Sequence, residues 1–152
     1  MTNDDIAREI LGARSYVVLA TADADGVPWS SPVWFAMEGY AELYWVSHPG
    51  ARHSQNIAVR PQIAMVVFDS TVAPGSGQGV YMTATAEQVT DPSAIERGVA
   101  VFSSRAVRDG AGEWGVDRVS GEARLRLYRA GVQQCWILDP DSPFDVRVGV
   151  TP

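Results

Sequence analysis

The chain contains no lysine. All twelve of its basic residues are arginine, so any anion bound through a permanently charged side chain must meet a planar guanidinium rather than a flexible ammonium. Cysteine is nearly missing as well. The single thiol, Cys135, excludes an internal disulfide and has no cysteine neighbour for a metal site, which leaves it as a buried structural residue. Histidine occurs only at positions 48 and 53, and two histidines with one cysteine make no metal-binding pattern. No segment approaches the roughly 18 consecutive apolar residues of a membrane-spanning helix. The opening MTNDDIAREILGARSY is acidic and then amphipathic; it lacks the basic start and apolar centre of a secretory signal and reads as cytoplasmic. Acidic residues outnumber basic ones 18 to 12, a net charge of −6. A phosphate backbone would meet a repulsive average field, which argues against nucleic-acid binding.

What is present suits a single domain over residues 1–152, 46% hydrophobic and 20% charged, large enough for one core. Helical signals are few. Residues 3–13 read as a helix with Asn3 as N-cap and Ile6, Ile10 and Leu11 as its apolar stripe. DPSAIERGVAVFSSRAV opens with Asp91 as cap and Pro92 in the first turn, and puts Ile95, Val99 and Phe102 on one face. The rest is mostly strand. SYVVLATA, the turn DADG, VPWSSPVWFAME, the turn EGY and AELYWVS read as a three-strand meander. QIAMVVFD, GVYMTATAEQV, ARLRLYRA, VQQCWILD and DVRVGV add further strands. Pro28 and Pro32 cannot donate to a ladder, so their strand belongs at an edge or bends there, leaving backbone free for a ligand. Many short strands with two or three helices predict a mainly β fold with flanking helices, a small closed or partly split barrel.

The stretch SHPGARHSQNIAVRPQIAMVVF places Arg52 and His53 together at the start of a short helix, Arg52 to Val59, stopped by Pro61. Free backbone N–H groups and the positive end of the helix dipole would face outward there. Arg52 offers a fork for two phosphate oxygens, His53 a donor, and Ser47 or Ser54 hydroxyls. Spacing alone favours a structural role instead: Arg52 in solvent, His53 capping a helix or satisfying a carbonyl. No Walker loop or dinucleotide fingerprint occurs, because GARSYV and GSGQGV lack the spacing and the strand-to-helix setting.

The ordered run YVVLATADADGVPWSSPVWFAMEGYAELYWVS, followed by ARHSQNIAVRPQIAMVVF, resembles the pyridoxamine 5'-phosphate oxidase-like, FMN-binding split barrels across roughly residues 10 to 90. The resemblance lies in the order of a strand ending LAT, a DG.P turn, a P.WF strand, a strand ending in Ser, a basic pair, NI, Pro and a further strand. It implies a homodimer with two FMN sites at the interface and a small-molecule substrate. It further implies that Arg52 and His53 hold the phosphate, aided by Trp45, Val46 and Ser47, and that the flavin ring lies along Ser30, Ser31, Pro32, Val33 and Trp34. Gln78 falls near a position from which family members contact FMN. The implied activity is an FMN-dependent oxidoreductase. A deazaflavin-dependent reductase of the same fold and a non-catalytic flavin- or haem-binding or redox-sensing protein are the alternatives, with His48 or His53 the histidine source for haem. The basic side chains that the true oxidase carries in the ring-bearing strand are replaced by Ser30 and Phe35, and its C-terminal substrate pattern has no counterpart. Vitamin B6 oxidation is therefore not expected.

Five tryptophans remain, at 29, 34, 45, 114 and 136. Trp45 and Trp136 read as packing residues, whereas Trp34 and Trp114 are candidates for covering a flavin or substrate. Trp114 sits in DGAGEWGVDR, a three-glycine loop that reads either as an ordinary turn or as a lid. No side chain stands out as a general acid or base.

Overall fold

Alternation of side chains builds the walls. The computed structural model describes residues 1–152. In it, β1 (Tyr16–Ala22) turns Val17, Leu19 and Thr21 inward and leaves Tyr16 and Ala20 outside. β5 (Gln62–Phe68) buries Ile63, Met65 and Val67 in the same way. With β2 (Pro28–Trp34), β3 (Ala36–Glu38), β4 (Glu42–Ser47), β6 (Gly79–Gln88), β7 (Arg126–Leu138) and β8 (Arg147–Gly149) they form one antiparallel sheet. Its order is β2-β1-β5-β6-β7-β4-β3, with β8 paired to the end of β7.

The two ends of that order, β2 and β3, are separated in the chain only by Phe35. The sheet must therefore curl until its first and last strands come together. β3 pairs with β4 from Ala36↔Tyr44 to Glu38↔Glu42, a register that would continue to Trp34 opposite Val46. It does not continue. β2 turns away and pairs only with β1, from Tyr16↔Trp34 to Ala22↔Pro28, and a seam opens between β2 and β4. The fold is a split β-barrel with three helices.

This corrects the expected meander. VPWSSPVWFAME is not one strand beside AELYWVS but two, broken at Phe35, whose buried ring enters the core and whose N–H donates to the Ser15 carbonyl. The edge position expected from Pro28 and Pro32 is observed for β2. ARLRLYRA and VQQCWILD, read as two strands, are one. Gly131 stays in the ladder opposite both Thr85 and Glu42, and the irregularity falls at Gln133, where the register with β6 shifts.

The core inside the barrel includes Leu19, Phe35, Trp45, Met82 and Ile137, all nearly or fully buried. α1 (Asn3–Ala13) closes one end with Ala7 and Leu11. Its N-cap is Thr2, not Asn3: the Thr2 hydroxyl accepts from the Asp5 N–H while the Asp5 carboxylate accepts from the Thr2 N–H. Asn3 has Ile6, not an acid, three residues on and cannot form that reciprocal pair. α3 (Pro92–Arg108), capped by Asp91 as expected, packs outside the barrel on a second cluster of Tyr44, Val89, Val99, Val119 and Leu127. Gly98 permits this approach, since a Cβ there would lie 2.6 Å from Leu127 Cδ2 and 2.7 Å from Tyr44 Cε1. No helix is long and apolar enough to cross a membrane.

Candidate functional site

Ser47 ends β4, and after four intervening residues the chain enters α2 (Arg52–Val59), the helix expected from the sequence. The turn between them is local: the Gly50 N–H donates to His48 Nδ1 at 2.8 Å and the Ala51 N–H to the His48 carbonyl. The N-cap of α2 is Ala51, which has no side chain to accept from the first turn. The leading N–H groups of the helix therefore lack a side-chain acceptor. Asn56 pins the helix to β1 by donating to the Thr21 hydroxyl at 3.0 Å.

The start of α2 faces the barrel seam. Where β2 and β4 diverge, a cleft of about 630 Å³ opens, within the usual range for small-molecule sites. Its walls are Pro32, Val33 and Trp34 of β2, Val46 and Ser47 of β4, His53 of α2, and Tyr16 at the start of β1. α3 and the segment after it supply Phe102, Ala106, Asp109, Ala111 and Trp114, and Leu125 precedes β7. A second groove of about 470 Å³ between α1, α3 and the β3–β4 turn contains Arg105 and Arg108, but both cations are occupied. They donate to the Arg14 and Gly12 carbonyls at the end of α1 and pair with Asp109.

The polar end of the cleft rests on one contact. His53 Nε2 lies 2.6 Å from Ser47 Oγ, with both side chains buried. Burial pushes the His53 imidazole below its ordinary pKa, so it is neutral near pH 7 and brings a hydrogen-bonding nitrogen rather than a positive charge. Arg52 lies elsewhere. Its exposed guanidinium stands 4.6 Å over the ring of Trp29 on β2, outside the cleft lining, and no carboxylate pairs with it.

The other end is aromatic. Phe102 meets Trp34 edge-on at 4.8 Å between centroids and Trp114 edge-on at 5.1 Å. Trp114 is fastened from three sides. Its backbone N–H donates to Ser103 Oγ at 2.9 Å, Phe102 abuts its ring, and the Arg118 guanidinium lies 3.3 Å from the ring centroid. The acidic group in the lining at this end is Asp109. Burial raises its pKa, but hydrogen bonds from Arg105 and Arg108 outweigh that and hold the carboxyl below its ordinary range.

Of the expected site residues, Pro32, Val33, Trp34, Val46, Ser47, His53 and Trp114 thus meet in one cleft. Others are placed differently. The Trp45 side chain points into the core, fully buried and stacked on Tyr128 at 5.7 Å, because β4 alternates and its neighbours Val46 and Tyr44 take the outer face. Gln78 is occupied as a clip between β6 and β7: its amide donates to the Leu138 carbonyl and accepts from the Leu138 N–H, each at 2.8 Å. Ser30 and Ser31 lie further back along β2, opposite Ala20 and Leu19, outside the cleft lining. Arg52 and His53, adjacent in sequence, project to different places. Sequence reasoning took Phe102 for core, because its helical stripe gave no sign that one turn of α3 overhangs the seam, and it did not pick out Asp109 at all.

Fold and cleft together define the class: a split β-barrel with a ligand-sized opening along its seam. A family model described as pyridoxamine 5'-phosphate oxidase matches residues 4–135, and the chain belongs to that family. Among solved structures it is similar to HutZ, the haem storage protein of Vibrio cholerae, with 24% identity over 88% of this chain and 92% of that one and a TM-score of 0.70. It is similar to a haem-binding protein of Mycobacterium smegmatis at 16% identity, covering 98% of this chain and 58% of that one, TM-score 0.71. A candidate 5-nitroimidazole antibiotic resistance protein of Bacteroides thetaiotaomicron aligns at 13% identity over 90% of this chain and 84% of that one, TM-score 0.72. No curated protein shows significant similarity. At these identities the likeness is one of fold.

Proposed function

We propose that the protein is an FMN-dependent oxidoreductase that moves electrons or hydride between the flavin and a small molecule. One observation carries the reading: the seam cleft joins an uncapped helix N-terminus and the Ser47–His53 pair at one end to an apolar, aromatic wall at the other. A flavin mononucleotide has the same polarity, a phosphate at one end and a planar ring at the other. FMN supplies hydride or single-electron chemistry when bound. The chain's own residues hold and orient it. The first N–H groups of α2 and the Ser47 hydroxyl bond phosphate oxygens, and Arg52, free of any carboxylate, swings from Trp29 to add charge. β2 is an edge strand paired only with β1, so its open side offers backbone groups to the polar edge of the ring beside Pro32 to Trp34. The working form is a homodimer: members of this family are typically dimeric, and β2 exposes Pro28, Trp29 and Ser30 as a partner face. A deazaflavin coenzyme, with its acidic tail, would need a run of cations, and no Arg lines the cleft.

A haem-binding function is the second reading, favoured by the two haem proteins among the structural relatives. Against it, His53 Nε2 is engaged by Ser47 and His48 Nδ1 by the Gly50 N–H. Titration of the apo-protein with FMN, followed by absorbance and fluorescence, decides. Tight binding that weakens about tenfold to a hundredfold in Arg52→Ala supports the flavin reading, since a charge-assisted phosphate contact contributes roughly 1.5–3 kcal/mol. Absence of FMN binding with a haem absorbance band on haem addition replaces it.

A further inference from the structure

We infer that two copies of this chain pair through the outer face of β2, β1, β5, β6 and β7, and that the paired copy closes the mouth of the seam cleft. The closure deepens the flavin reading above and rests on it; the face itself is read from this chain's register, charge and exposure.

Strand register lays out the face. Ser30, Ala20, Ala64, Thr83 and Gln134 stand side by side across the five strands, pointing away from the core. The row on one side runs from Pro32 to Trp136 and the row on the other from Pro28 to Gly131, and none of the three contains an Asp, Glu or Arg. Charged residues make up 20% of the chain, and other exposed surfaces show them: α1 presents Arg8 and Glu9 to solvent, α3 presents Glu96 and Arg97. The solvated face of an antiparallel sheet is ordinarily polar in the same way. Here the charges stand at the margin. Arg147 of β8 lies over Tyr81 and pairs with Asp145, and Glu87 pairs with Arg129. Each copy carries a net charge of −6, so two copies meet at least electrostatic cost where neither presents a charge.

Shape and size suit a second copy. Ala20, Ala22 and Ala64 floor a shallow groove of about 480 Å³, bounded by Gln133 and Gln134 where the β6–β7 register shifts. In a two-fold contact the same patch serves both partners, so each brings a floor and a ridge. Tyr16, 61% exposed, and Phe68, 48% exposed, project from the same side of β1 and β5. Aromatic residues in a surface depleted of charge are the composition of an interface core. With strands about 4.8 Å apart and rows about 6.8 Å apart, the face covers on the order of 600 Å² per copy. Twice that reaches the roughly 1,200 Å² at which specific interfaces begin. The face also runs into the site. Tyr16, Pro32 and Trp34 belong both to it and to the cleft lining, so a copy seated here abuts the cleft mouth along the edge strand β2.

Sedimentation equilibrium of the FMN-free full-length chain, 16.4 kDa per copy, tests the face. The wild type is expected as a dimer. Ala64→Arg and Gln134→Arg, both at exposed positions, should each weaken it about tenfold or more, because a guanidinium without a partner is buried in the contact. Ala100→Arg, exposed on α3, should leave it within about twofold, and urea midpoints report that each variant is folded. Hydroxyl-radical footprinting of the wild type, above and below its dissociation constant, reads the face without any substitution: Tyr16 and Phe68 should be protected in the dimer. A monomeric wild type overturns the inference, as does a dimer that leaves Tyr16 and Phe68 unprotected or that folded Ala64→Arg and Gln134→Arg both retain. Closure of the cleft is read by FMN titration, in which monomeric Ala64→Arg should bind about tenfold more weakly than the wild type; equal affinity removes the closure. A dimer on this face that takes up no FMN defeats the flavin reading and leaves the pairing intact.

Discussion

His53 Nε2 sits 2.6 Å from Ser47 Oγ, and both residues are buried in the wall of the seam cleft. Burial holds the imidazole below its ordinary pKa in the folded chain, while the unfolded chain titrates near 6.5. Above that pH the residue is neutral in both states. As pH falls below it the unfolded chain binds a proton that the folded chain does not, so stability declines through the range just below 6.5 and levels off at the folded pKa. Urea midpoints at pH 7.5 and 5.5 should therefore differ in the wild type and differ less in His53→Asn. An equal drop in both proteins would place the proton elsewhere. The carboxyls held below their usual range, Asp5, Asp69, Asp91 and Asp109, contribute stability that is lost only at lower pH, through and below the ordinary carboxylate range.

Arg52 over Trp29 supplies an optical reporter. If the guanidinium leaves the indole to meet a phosphate, 2'-deoxyuridine 5'-monophosphate, which carries the phosphate without a flavin, should perturb Trp29 fluorescence. The signal should vanish in Arg52→Ala and in Trp29→Phe. A change that survives both substitutions assigns it to another tryptophan.

Gly98→Ala should destabilise the fold. The added methyl collides with Leu127 and Tyr44, both fully or nearly buried, and the Tyr44 hydroxyl is tied to Glu42 at 2.6 Å, so neither can retreat freely. Overpacking costs about 1–3 kcal/mol and the gain in helix propensity returns up to about 1. A net loss of about 1–2 kcal/mol is expected in chemical unfolding, and a gain in stability would show that α3 can shift outward.

Gln78→Ala should act on stability and not on the cofactor. The amide clips both backbone groups of Leu138 and accepts from the Gly79 N–H, so its removal leaves part-buried backbone groups unpaired and costs about 1–3 kcal/mol. FMN affinity should remain within about twofold. A larger change would mean that Gln78 reaches a cofactor held by the partner subunit.

Cys135 is pushed up to about 11, by burial first and the nearby Asp4 charge second, so little thiolate forms at neutral pH. Reaction with a disulfide reagent should be slow in the native protein and fast in denaturant. Fast native labelling would contradict its packed position on β7.

How much of this was legible differs from residue to residue. Asp91 and Pro92 start α3 where the sequence indicates, because capping is a property of a few consecutive residues. The limits of α2 are equally local: the turn residues before it and Pro61 after it bound the same eight residues. The break at Phe35 was not legible. Nothing within VPWSSPVWFAME says that its two halves pair with different partners, β1 and β4, since that depends on the closure of the whole sheet. Arg52 and His53 illustrate the same limit at the site. Their adjacency suggested a shared task, but successive helical residues point about 100° apart, and here one turns into the cleft and the other onto Trp29.

The sequence by itself determined the alternating strands, the edge character of a strand carrying Pro28 and Pro32, the helix limits and the chain's dependence on arginine for positive charge. Each follows from chemistry carried by single residues or their near neighbours. Only the tertiary structure decided that the barrel splits between β2 and β4 and that Trp34 meets Phe102, and through it Trp114, across that seam. Asp109 pairs with Arg105 and Arg108 of its own helix end, but the meeting of β2 with α3 joins segments tens of residues apart, and its geometry is set by how a twisted sheet closes on itself rather than by any local preference.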